Sequence, residues 1–192
     1  MNGMMVPVFI VLALQLLGLP DELEYRRPLL LSEPWRLVTG HFVHVSWLHA
    51  MLNCVALLLL ERLFDGRLRR SELWLLLLAA PLAISLVFWI LLPGLGWYRG
   101  LSGALHAVYF AGCIAWITGA AGRQRWLPFA ALASGAVKVL LEQPWDATFP
   151  FREWLGAAVV PQAHLVGALA GAAAGFLFPA RRQPKQAEHP DA

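Results

Sequence analysis

The sequence predicts an all-α membrane protein, a bundle of six transmembrane helices with both termini in the cytoplasm. Three observations carry that reading. Hydrophobic residues make up 59% of the 192 and charged residues only 14%, with a mean hydropathy of +0.60, a composition wrong for a soluble fold. Six apolar stretches recur along the chain, each long enough or nearly long enough to cross hydrocarbon. The basic residues are shared unevenly between alternate connections, as they are across a membrane.

The first stretch, Met4 to Leu19, has no basic segment ahead of it. It is followed by Pro20, Asp21 and Glu22 rather than a small-residue cleavage site, so it reads as a retained helix and not a signal peptide. The others are His49 to about Leu63, Glu72 to Leu92, Leu101 to Ala121, Trp126 to Leu141 and Ala163 to Phe178. The last two are short, so they run straight or start below the membrane surface. The first connection, Pro20 to about Ser46, carries Trp35 and several charges, ends beside Trp47, and is expected along the outer interface; Trp126, Trp145 and Trp154 read as interfacial anchors or packing residues.

With the N-terminus inside, cytoplasmic segments hold nine basic residues: Arg62, Arg67, Arg69, Arg70, Arg123, Arg125, Arg181, Arg182 and Lys185. Outer segments hold five, Arg26, Arg27, Arg36, Arg99 and Arg152, and Lys138 falls within the fifth stretch. One domain is expected over residues 1–178, with a polar, disordered tail over 179–192.

Composition also excludes functions. A net charge of +3 without a basic stripe is no nucleic-acid footprint. Cys54 and Cys113 lie in apolar runs with no metal-ligand spacing, so they read as small buried apolar residues. Neither HExxH nor a carboxylate cluster is present, and there are no inverted repeats with matched broken helices, which argues against a metal site or a small transporter.

Polar side chains at membrane depth are costly and mark functional sites. The segment HFVHVSWLHAMLN carries His41, His44, His49 and Asn53. His49 and Asn53 are four apart, so on a helix they share a face and could point two donors at one spot. His41 and His44 belong either to that site or to the outer interface, bonded to water. In GLSG, Ser102 stands between Gly100 and Gly103 at a predicted helix start, where unpaired backbone N–H groups stabilise a developing negative charge.

His164 heads the sixth stretch beside a stripe of small residues, Ala163, Gly167, Gly171 and Gly175. The fourth stretch carries a matching stripe: Gly103, Ala107, Ala111, Ala115 and Gly119. Two such faces allow an approach closer than the usual interaxial distance of about 8 to 10 Å, which a Ser102 to His164 hydrogen bond requires. Depth agrees, since Ser102 lies about 31 Å above Arg123 and His164 about 26 Å above Arg181 at 1.5 Å per residue. Lys138 and Glu142, also four apart, read as a pair that neutralises itself near a helix end.

A serine hydroxyl becomes a nucleophile when a base such as imidazole takes its proton. Ser102 and His164 supply that pair, with the His49 side chain, the Asn53 amide and the Ser102 backbone N–H as donors for an oxyanion. No acidic residue is expected to orient His164, so the reading is a dyad. His44, Ser46, His49, Asn53 and Gln162 could line a wet cavity that admits water. The chemistry calls for no cofactor and no metal.

These residues resemble the rhomboid family of intramembrane serine proteases. The resemblance covers roughly residues 34–175 and rests on Trp35-Arg36, on His44, His49 and Asn53, on Gly100-Leu101-Ser102-Gly103, and on Ala163-His164 followed by Gly167 and Gly171. It implies a six-helix core, Ser102 as nucleophile, His164 as general base, and His49 with Asn53 at the oxyanion hole, in a lipid bilayer and acting on a membrane-anchored protein. GLSGALHA with His106 and the KVLLEQ segment are most similar to the rhombosortase branch. That similarity implies a bacterial inner membrane, an active site open to the periplasm, and removal of C-terminal Gly-Gly-type hydrophobic tails from exported proteins. His106 departs from the tyrosine common four residues after the nucleophile, and it either packs on or bonds to His164. The rival readings are a non-catalytic rhomboid-like protein that binds membrane clients, and transfer of the acyl group to an amine in place of hydrolysis.

Overall fold

A computed structural model describes residues 3–120, 126–143 and 160–178. Each of the six apolar stretches contains a helix: α1 (Met5–Leu16), α4 (Trp47–Leu63), α5 (Arg70–Leu91), α6 (Ser102–Gly119), α7 (Trp126–Leu141) and α8 (Pro161–Leu177). Two short helices, α2 (Pro20–Leu23) and α3 (Arg36–Thr39), lie in the first connection. Among the described residues, Arg70–Leu91 is the helix long and apolar enough by itself to cross a membrane. The C-terminal tail, Trp145 and Trp154 lie outside the described residues.

The helix starts follow local chemistry. The Ser46 hydroxyl caps α4 by accepting from the His49 N–H at 3.2 Å, and the Glu72 carboxylate reaches back to the Arg69 N–H at 2.6 Å to close the start of α5. Pro161 opens α8, where its missing N–H costs nothing.

Helix α6 is the centre of the bundle and packs against α4, α5, α7 and α8. It is mostly buried, and many of its buried residues are small, including Gly103, Ala104, Ala107, Ala111 and Ala115. The outer faces of the surrounding helices are apolar and exposed, among them Leu59 on α4, Leu75 and Ile90 on α5, Val137 on α7 and Phe176 on α8. So large an apolar exterior is what lipid, not water, stabilises. Cys54 and Cys113 are buried free thiols.

The two small-residue stripes meet in register. A Cβ placed on Gly167 would lie 2.0 Å from the Gly103 carbonyl oxygen, one on Gly171 2.1 Å from that of Ala107, and one on Gly175 2.9 Å from that of Ala111. Backbone therefore lies directly on backbone over three turns, the close approach the sequence predicts.

The first connection is a folded cap rather than a strand of chain laid on the surface. Strand β1 (Tyr25–Arg26) pairs antiparallel with β2 (Trp97–Tyr98), with Tyr25 opposite Tyr98. Glu24 accepts from Arg26 Nε at 2.8 Å and from Arg99 Nε at 2.7 Å, while Arg99 also pairs with Asp21. Arg27 donates to the carbonyls of Phe88 at 3.1 Å and Trp89 at 2.8 Å, placing a cation on the C-terminus of α5. Arg36 is buried at 5% exposure; its guanidinium pairs with Glu33 and donates to the carbonyls of Asp21 at 3.1 Å and Glu24 at 3.0 Å. Arg36→Ala strands those two carbonyls and is expected to cost about 2–4 kcal/mol. Thermal unfolding of the detergent-solubilised protein measures it, and an unchanged midpoint would show that the cap does not depend on this side chain.

Candidate active site

Gly100 sets the start of α6. Its φ of +127° is closed to side-chain-bearing residues, and a Cβ there would meet His49 Cε1 at 2.7 Å. The turn leaves Ser102 as the first residue of α6, with the N–H groups of its first turn lacking intrahelical acceptors. Gly103 allows α8 in close, since a Cβ on it would stand 3.0 Å from the Ala163 carbonyl oxygen and 2.8 Å from Ile84 Cδ1.

That proximity brings the serine to the histidine. His164 Nε2 lies 2.9 Å from Ser102 Oγ, and His164 is 5% exposed. Both sit in the first turns of their helices, at one end of the paired stripes.

His49 and Asn53 occupy one face of α4, as their spacing predicts, and line the same cleft as Ser102 and His164. The Asn53 amide donates one proton to the His49 carbonyl at 2.9 Å, which fixes the side chain and leaves its second N–H available. Of the two readings of His41 and His44, exposure to water at the interface is the one not observed, because they are 0% and 1% exposed. The Ser85 hydroxyl donates to the Leu37 carbonyl at 2.7 Å and so accepts from His41 Nε2 at 3.0 Å. His44 Nε2 accepts from the Leu101 N–H at 3.4 Å, and its ring stands edge-on to His49 with centroids 4.8 Å apart. His44 therefore braces both Leu101, next to Ser102, and His49, while His41 ties the chain ahead of α4 to α5.

His106, one turn into α6, stacks on His164 with ring centroids 4.2 Å apart and 18° between planes. Of the two contacts open to it in the sequence, packing is the one observed.

The expectation that no carboxylate reaches His164 does not hold. Glu142 Oε2 lies 2.8 Å from His164 Nδ1, and Lys138 Nζ lies 2.7 Å from Glu142 Oε1 and 3.1 Å from His106 Nε2. The lysine and glutamate do pair, but not only with each other. Gln143 explains the placement: its amide donates to the Val139 carbonyl at 3.0 Å and the Pro161 carbonyl at 3.3 Å, clipping the end of α7 to the start of α8.

Ligand atoms of His106, Glu142 and His164 fall within 4.8 Å of one another, a spacing a metal ion could use. The Lys138 ammonium already bridges two of them, and both His164 nitrogens are engaged, so a cation would have to displace these contacts. The wider cleft has a volume of about 1310 Å³, with Leu52, Leu59 and Leu141 on its walls and the polar cluster at one place. A long apolar cleft with a few convergent polar groups suits an apolar chain carrying one polar bond to be acted on.

A helical bundle with a lipid-suited exterior and a serine hydrogen-bonded to a histidine inside it defines the class: a membrane protein with a serine–histidine pair in its cleft. Comparison with protein families places it further. The Rhomboid domain matches residues 31–181, and the chain belongs to the rhomboid family of intramembrane serine proteases. It is therefore an integral membrane protein. No match was found among curated proteins.

Proposed function

We propose that the chain is an intramembrane serine endopeptidase that cleaves a membrane-anchored protein near the outer leaflet, with six spans and both termini in the cytoplasm. The observation that carries the reading is the 2.9 Å contact between Ser102 Oγ and His164 Nε2, set in an apolar cleft. His164 takes the hydroxyl proton as Ser102 Oγ attacks the substrate carbonyl carbon. The oxyanion so formed is met by the Ser102 N–H and by the His49 and Asn53 side chains. As the C–N bond breaks, the proton on His164 Nε2 passes to the departing amine, leaving an acyl group on Ser102. Water then gives a proton to His164 and its oxygen to the acyl carbon, releasing the carboxylic acid and restoring the hydroxyl. Gly100 and Gly103 hold the nucleophile's turn, while Gly167 and Gly171 hold the helices close enough for the pair to form.

Similarity of the GLSGALHA and KVLLEQ segments to rhombosortases supports a bacterial inner membrane, a site open to the periplasm, and substrates with a C-terminal Gly-Gly hydrophobic tail. A serine-directed fluorophosphonate is expected to label the wild-type protein and not Ser102→Ala, and the same variant should leave a membrane-anchored substrate uncut. Cleavage near the wild-type rate in Ser102→Ala would remove the serine from the reaction; an unlabelled and inactive wild type would favour the client-binding alternative. Mass spectrometry of the product's new C-terminus separates hydrolysis from transfer to an amine.

A further inference from the structure

Glu142 and Lys138 take no part in the steps above, yet their contacts run to His106 and His164. The Ser102 carbonyl oxygen can only accept, so the 2.8 Å contact with His106 Nδ1 fixes the proton on that nitrogen and leaves His106 Nε2 as an acceptor. Lys138 Nζ, a donor, fills it at 3.1 Å and also donates to Glu142 Oε1 at 2.7 Å. The other carboxylate oxygen, Oε2, accepts from His164 Nδ1 at 2.8 Å. That contact puts the His164 proton on Nδ1 and leaves Nε2 free to accept from the Ser102 hydroxyl at 2.9 Å. The contacts close into a ring that leaves Ser102 by its hydroxyl and returns to it by its carbonyl.

We propose that Glu142 is a positioning residue for His164, with Lys138 and His106 as its anchor. This rests on the serine protease reading above. The carboxylate selects the tautomer that can take the Ser102 proton and steadies the imidazolium formed when it does; Nδ1 keeps its own proton and Glu142 remains a carboxylate throughout. Lys138 holds one carboxylate oxygen so that the other faces the base, and the stacked His106 ring prevents His164 from tilting away. A lysine and a glutamate bound only for mutual neutralisation would need neither histidine. The Gln143 clip keeps the arrangement in place while α7 is otherwise largely exposed along the cleft.

Steady-state cleavage of a membrane-anchored substrate by Glu142→Gln, Glu142→Asp and Ser102→Ala tests it, with thermal unfolding followed in parallel. Glu142→Gln keeps the shape and loses the charge, so it is expected to lower kcat by about 10²-fold or more. KM and the unfolding midpoint should stay near wild type, and fluorophosphonate labelling of Ser102 should slow in proportion. Glu142→Asp should regain part of kcat. A Glu142→Gln enzyme with wild-type kcat would overturn the positioning role while an inactive Ser102→Ala leaves the protease reading intact; cleavage by Ser102→Ala near the wild-type rate would instead overturn the reading beneath it. If the Gln variant fails to fold, Glu142→Asp decides: loss confined to kcat supports the proposal, and loss confined to KM or to the unfolding midpoint overturns it.

Discussion

Replacing His164 by alanine is expected to lower turnover by about 10⁴-fold or more while leaving the bundle folded. Among the described residues, the ring is the base within bonding reach of Ser102 Oγ, and it stands at the first turns of α8 rather than in the tightly packed seam below. Its loss leaves Glu142 still paired with Lys138, so no carboxylate is left without a partner, and Ala supports the helix well. A residual rate from substrate binding and the oxyanion donors should persist. The sharper test is the double variant: Ser102 and His164 act as a unit, so Ser102→Ala combined with His164→Ala should be no slower than either single change. Losses that multiply would mean that the two side chains act independently, and the shared proton transfer would have to be abandoned.

How far the site was legible depends on whether its contacts are set by position along a helix or by the packing of ends. Ser102 and His164 could be matched because two four-residue stripes of small side chains begin beside them, and the stripes pack in the register in which Gly167 meets Gly103 and Gly171 meets Ala107. His49 and Asn53 could be placed on one face by spacing alone. Glu142 was missed because its neighbour His164 lies 22 positions on, and the approach is fixed by Gln143 reaching the Pro161 carbonyl, which no periodicity encodes. The available signal was a lysine and a glutamate at the end of an apolar stretch, with a histidine one turn beyond Ser102. All three are costly at that depth, and local pairing of the first two explained only part of them. The first connection was legible as an interfacial segment but not as a cap, since its form rests on Arg36, Arg27 and Arg99 finding carbonyls and carboxylates from distant parts of the chain.

Gly167→Ala is the substitution that tests the seam itself, and it is expected to destabilise the protein by on the order of 3 kcal/mol and to reduce turnover about 10²-fold. Alanine is ordinarily the better helix former, so propensity alone predicts a gain. Here the added methyl would stand 2.0 Å from the Gly103 carbonyl oxygen, a backbone atom that cannot rotate aside as a side chain would. Relief requires α8 to move from α6, and because Gly103 follows Ser102 and Gly167 lies one turn from His164, the movement opens the serine to histidine contact directly. Gly94→Ala is the matched control: nothing lies within 4 Å of a Cβ there, so its effect on the unfolding midpoint should be small. Equal unfolding midpoints for Gly167→Ala and wild type would show that the helices are farther apart than backbone contact allows. In that case the hydrogen bond from Ser102 to His164 would need some other source of proximity.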